Sequence, residues 1–127
     1  MTKRSTGKSI AIWVLRLFLG LAFLAAAAMK LSGQPMMVAE FDKVGLGQGF
    51  RYLTGLLELA GGIAILVPRS STLGALTLLL VDVGAFVAQL LVLHGDVIHT
   101  LVIAALLVVL IALQRRSGEQ AFDQSVE

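Results

Sequence analysis

Four long apolar runs decide what this chain can fold into, at about residues 9–29, 50–67, 72–93 and 97–113. At about 1.5 Å of helix rise per residue, each comes close to or exceeds the roughly 30 Å hydrocarbon layer of a bilayer. No water is present at that depth to satisfy the backbone, so such runs must be helices. Only 14% of residues are charged and the mean hydropathy is +0.91, whereas a soluble domain is nearer about 25% charged. The expected fold class is all-α: a membrane four-helix bundle with a short interfacial helix between the first and second spans. Residues 1–8 form a polar lead, 9–114 the four-span domain, and 115–127 a polar tail expected to be disordered.

The first run could be taken for a secretory signal peptide, with Lys3, Arg4 and Lys8 ahead of it and alanines at its end. Its length and the embedded Arg16 favour a retained span. Between the first two spans, PMMVAEFDKVGL offers Pro35 as a helix start. Met37, Phe41 and Val44 follow at helical spacing, opposite Glu40 and Lys43. An amphipathic helix lying at the membrane interface is expected there. Gly45, Gly47 and Gly49 follow without the strand and spacing that a phosphate-cradling loop needs, so they read as a lead into the second span.

Four spans put both termini on one side, together with Lys3, Arg4, Lys8, Arg69, Arg115 and Arg116. Lys30, Lys43 and Arg51 fall on the other, which points to cytoplasmic termini in a multi-pass cell-membrane protein. The absence of cysteine removes disulfides, thiol catalysis and thiolate metal sites. Basic residues sit at chain ends and span edges and form no stripe for nucleic acid. No catalytic set and no metal set is evident: His94 and Asp96 read as turn residues, and two histidines without a third ligand make a weak metal signal.

Charged residues inside the spans are expensive and need partners. Glu58 lies at the centre of the second run and Asp82 at the centre of the third, with Arg16 near the midpoint of the first. Alignment of the span midpoints brings Arg16 within reach of both carboxylates, so an Arg16–Glu58 or Arg16–Asp82 pair is expected. One carboxylate is then left over, to be protonated, paired elsewhere or matched by a cation. Asp82 is the expected surplus group, since its neighbours are bulky and apolar whereas glycines surround Glu58.

Helical spacing places Lys30 on the Arg16 face and Gln89 on the Asp82 face, with His99 one turn into the fourth span. Lys30, Gln89 and His99 are therefore expected to line an outward-facing pocket floored by Arg16, Glu58 and Asp82. For ligand or proton handling, the competing readings are simple packing charges, an interhelical hydrogen bond from Gln89 and an interfacial His99. Gly20, Gly55, Gly61 and Gly62 offer small surfaces where helices can approach closely.

RLFLGLAFLAAAAMKL (Arg16–Leu31), the spacer bearing Phe41 and Val44-Gly45, and YLTGLLELAGGIAIL (Tyr52–Leu66) together resemble the DoxX family of small four-span membrane proteins. The arginine-to-lysine spacing and the glutamate ahead of Gly61-Gly62 are the specific parts, and the resemblance covers roughly Ile10 to Leu113. By resemblance Arg16, Lys30, Glu58 and the following glycines occupy motif positions; the match extends more weakly to Asp82 and His99. Family members often carry a proline just before the second span, where this chain has Gly45-Leu46-Gly47-Gln48-Gly49. The resemblance links the chain to a subunit of a thiosulfate–quinone oxidoreductase, to oxidative-stress complexes and to membrane chaperones. It implies an accessory subunit in the bilayer, with a membrane or membrane-associated protein partner, and leaves the cofactor unidentified, with a quinone among the candidates.

Two functions fit these features. In the first, the protein is a non-catalytic accessory subunit whose polar-lined pocket holds a quinone or another small lipophilic ligand. With no cysteine, haem pair or flavin motif, it has no redox group of its own. The alternative is a small proton-coupled transporter using Glu58 or Asp82, and either reading allows a homo-oligomer. Four-span exporters typically carry the acid in the first span without a buried arginine, and that favours the accessory reading.

Overall fold

The computed structural model describes residues 6–126, with side chains as far as Arg115. Five helices follow in order: α1 Thr6–Leu31, α2 Pro35–Val44, α3 Gln48–Leu66, α4 Ser71–Ala88 and α5 Ile98–Val126, with a π-helical turn Gln89–Leu93 closing α4. Four of these segments, Thr6–Leu31, Gln48–Leu66, Ser71–Leu93 and Ile98–Arg115, are long and apolar enough to cross a membrane. The protein is therefore an all-α bundle with four candidate spans. The helices pack in a ring, α1 on α3, α3 on α4, α4 on α5, and α5 back on α1. The short α2 lies across one end, against α3 and the π turn.

The elements follow local rules. Pro35 starts α2, and Gly45 ends it in the left-handed conformation that a glycine adopts most readily, its N–H donating to the Phe41 carbonyl. Val67-Pro68 turns the chain between α3 and α4, where the Ala64 carbonyl near the end of α3 accepts both the Val67 N–H and the Ser70 hydroxyl. Asp96 opens α5 by accepting the Ile98 N–H at 2.8 Å.

Two features depart from the expectation. The third span does not run as a regular helix to Leu93. It loosens into the π turn at Gln89, closed by the Gly95 N–H donating to the Gln89 carbonyl and by His94 at φ 52°. The segment expected as a disordered tail is helical, since α5 continues to Val126. Glutamine, arginine, glutamate and alanine are good helix formers, so continuing a helix out of the bilayer is inexpensive.

Outward-facing residues such as Leu73, Leu80, Leu91 and Ile98 are strongly exposed, as a lipid-facing belt requires. The interior divides into two halves. Ile12, Leu19, Phe23, Ile65, Ala75, Leu78, Leu107 and Leu110 fill the half nearer the chain termini with a continuous apolar core. The other half is hollow, and Lys30, Glu58 and Asp82 gather there.

Candidate functional site: a hollow half-bundle lined with charge

The cavity measures about 650 Å³ and draws on every helix. α1 supplies Phe23 and Lys30, α3 supplies Leu57 and Glu58, and α4 supplies Asp82 and Ala85. Gln89, His99 and Thr100 stand toward its outer end, while α2 closes it with Met37, Glu40, Phe41 and Val44. Lys30, Glu58, Asp82, Gln89 and His99, from four separate segments, thus share one wall. This size suits a small organic molecule, and the walls are mainly apolar with a few polar groups converging.

Arg16 is absent from this wall, and neither Glu58 nor Asp82 pairs with it, contrary to the expected ion pair. Its Nε donates instead to Gln114 Oε1 at 2.8 Å, and its guanidinium lies 4.9 Å from the centre of the Trp13 ring. Gln114 passes the contact on to the Thr72 hydroxyl at 3.2 Å. The reason is register. A Cβ on Gly62 would stand 3.2 Å from the Gly20 oxygen, and one on Gly55 would stand 3.2 Å from Lys30 Cβ. These contacts set Glu58 level with Leu24 to Ala27, roughly 12–16 Å along the axis from Arg16. That exceeds what an arginine side chain can bridge. Span midpoints are not at common depth, because α1 begins at Thr6 and extends beyond α3.

Lys30 is the partner of Glu58. Its Nζ lies 2.7 Å from Glu58 Oε1, with the carboxylate side chain 5% exposed and the lysine 15%. No other polar group among the described residues touches Glu58. The lysine reaches down from the end of α1, burying its methylene stem along the cavity.

Asp82 is 6% exposed, and its Oδ2 is buried without a hydrogen-bond partner. Glu58 and His99 are close enough to act on it electrostatically, but it makes no ion pair among the described residues. His99 stands more than half exposed, its Nδ1 3.9 Å from Asp96 Oδ2. The carboxylate without a counter-charge is therefore on α4.

The glycines lie at helix crossings. Gly20 and Gly62 bring α1 onto α3, Gly55 meets Lys30 and Leu31, and Gly61 meets Gly74 of α4. Gly74, not singled out from the sequence, makes the closest approach to backbone: a Cβ there would be 2.8 Å from both the Gly61 oxygen and the Ile65 nitrogen. The same small-residue argument applied to the third run would have found it.

Arg51, which the sequence places on the side opposite the termini, makes contacts that the sequence does not show. It is 5% exposed, lies 4.3 Å from the Tyr52 ring centre, and donates to Gln48 Oε1 at 2.7 Å and to the Lys30 carbonyl. A cation at the C-terminal end of α1 adds a second donor to the Lys30 carbonyl, which also accepts the Gly33 N–H, and complements the helix dipole. Gln48 in turn donates to the Val38 carbonyl and to Asp42 Oδ1, both at 3.0 Å. This chain of contacts, with the Phe41 and Phe50 rings 5.9 Å apart and tilted by 53°, fastens α2 over the cavity.

Gln48→Ala is expected to release α2 without unfolding the bundle. The lost hydrogen bonds are worth about 1 kcal/mol each. Faster hydrogen–deuterium exchange confined to 35–44, at an unchanged melting temperature, is the expected readout. Unchanged exchange there would mean that α2 is held by its apolar face alone.

Comparison with known proteins matches residues 14–113 to the model of the DoxX-like family. No curated protein and no solved structure matches the chain. The matched region begins just before Arg16 and ends just before Gln114, so it contains the whole cavity wall and the glycine crossings, and this integral membrane protein belongs to the DoxX-like family.

Proposed function

We propose that this protein is an accessory subunit of a membrane complex, and that its hollow half holds a small lipophilic ligand with a polar end. The observation that carries the reading is the cavity of about 650 Å³ whose polar groups converge from four segments. A bundle needed only as a scaffold gains nothing from leaving half its interior unpacked around ionisable side chains. The family resemblance makes a quinone of a redox or oxidative-stress complex the first candidate.

The residues fit such a head group: Gln89 and His99 offer donors for ring carbonyls, and Asp82 offers an acceptor for a hydroxyl of the reduced form. Phe23, Leu57 and Ile103 supply apolar wall for the ring and the start of a tail. A bound quinone would bring an electron carrier to a chain whose sequence has no redox group of its own. The alternative, proton-coupled transport, draws its support from Asp82, an unpaired carboxylate facing the cavity inside the membrane.

Saturable binding of a short-chain ubiquinone analogue to the purified protein tests the reading. Replacing Gln89 and His99 by leucine is expected to weaken binding about tenfold, the worth of one to two hydrogen bonds. Binding that never saturates, with no protein copurifying in mild detergent, would leave the accessory reading without support. Proton uptake by liposomes carrying the protein alone would favour the transporter.

The positive-inside bias supports cytoplasmic termini, with the cavity in the outer half of the bilayer. Reporter fusions at Glu127 and within 36–44 are expected to report opposite faces of the membrane. The same face for both would end the four-span topology.

A further inference from the structure

Charge counting around the cavity narrows the ligand class. Three carboxylates line it, Glu40 from α2, Glu58 from α3 and Asp82 from α4, against one permanent cation, Lys30. Lys30 is committed to Glu58 at 2.7 Å. His99, the other nitrogen base on the wall, leans toward Asp96 outside it. Asp82 is left buried and unpartnered on the wall, with Glu40 half-buried at the α2 side. Among the described residues no group of His, Asp and Glu stands close enough together to hold a metal ion. A bulkier cation that fills apolar space suits the geometry better. Phe23, Phe41 and Phe50 line the same space, and aromatic faces attract cations through their quadrupoles.

We infer that the cavity selects a lipophilic organic cation, with Asp82 as its counter-charge and Phe41 and Phe50 as its aromatic wall. The inference rests on the cavity being a ligand site and adds which charge it takes. An organic cation brought beside Asp82 supplies the missing partner in a medium of low dielectric, where one opposite charge matters most. A neutral ligand leaves Asp82 without a counter-charge, even where it donates a hydrogen bond, and an anion adds repulsion from the surplus carboxylates.

Tetraphenylphosphonium and tetraphenylborate, nearly equal in size and shape but opposite in charge, are the probes, measured by equilibrium dialysis against the detergent-solubilised full chain. Saturable tetraphenylphosphonium binding is expected, at least about tenfold tighter than tetraphenylborate given one uncompensated charge at short range. Asp82→Asn, which keeps size and removes charge, is expected to erase most of that preference. Phe41→Ala, at the interface and away from the packed core, is expected to weaken the cation alone. Equal binding of the two probes to the unaltered protein overturns the inference without recourse to any variant. So does a preference that survives in folded Asp82→Asn protein. If the neutral quinone analogue saturates and the cation does not, the cavity reading stands and the charge assignment falls. If none of the three ligands saturates, both fall.

Discussion

Lys30→Met is expected to be among the most damaging single substitutions in the chain. It would leave Glu58 buried opposite a thioether, with its one polar partner gone. Removing one member of a buried ion pair costs about 3–5 kcal/mol, because the remaining charge keeps its desolvation penalty and loses its compensation. Methionine preserves length and apolar stem, so the loss reports charge and not volume. The double variant Lys30→Met/Glu58→Gln is expected to recover most of the stability, since a neutral pair carries no such penalty. A double-mutant cycle in denaturant-titrated detergent micelles reads the coupling directly. If Lys30→Met is silent while Arg16→Met is damaging only when Glu58 is present, the pair runs to Arg16 after all.

That alternative is the pairing the sequence favours, and the reason it misleads is instructive. Within one helix, spacing determines which residues share a face, so the placing of Lys30, Glu58, Asp82, Gln89 and His99 on inward faces needed only local geometry. Depth between helices is a different quantity. It depends on how far each helix extends beyond the membrane and on which small residues let backbones approach. Gly20 against Gly62 and Gly61 against Gly74 fix that register in the structure. Equating span midpoints had no access to it and moved Arg16 by about two to three turns.

The four spans and the amphipathic α2 were legible for the opposite reason, since run length and period are properties of single segments. The way α2 is fastened was not. It rests on Gln48 reaching across to Val38 and Asp42 while receiving Arg51, contacts that no periodicity encodes. The π turn at Gln89 was equally hidden, because QLLVL reads as ordinary helix until Gly95 and His94 are placed. The helical continuation beyond Arg115 is hidden because its polar composition suits a disordered tail as well as a helix.

The second large effect is expected at Gly74. An alanine there must put its Cβ where the Gly61 carbonyl oxygen and the Ile65 nitrogen stand 2.8 Å away, with Ala64 Cβ at 2.9 Å. These are mostly backbone atoms of α3 and cannot turn aside as a side chain can. Relief therefore requires α4 to move away from α3, loosening the packed half to which Leu78 of α4 and Ile65 of α3 both belong. Overpacking of this kind costs about 1–3 kcal/mol, against a helix-propensity gain from alanine of up to about 1 kcal/mol. A net loss is expected, read as a lower detergent melting temperature. Gly20→Ala meets Leu66 Cδ2 at 2.7 Å, the end of a flexible side chain, so its cost is expected to be smaller. Gly84→Ala meets nothing within 4 Å and keeps only the propensity gain, so it is expected to be neutral or slightly stabilising. The order Gly84, Gly20, Gly74, from harmless to worst, follows from what each Cβ would touch. An equal response at all three sites would mean that backbone approach between α3 and α4 does not limit the packing of this bundle.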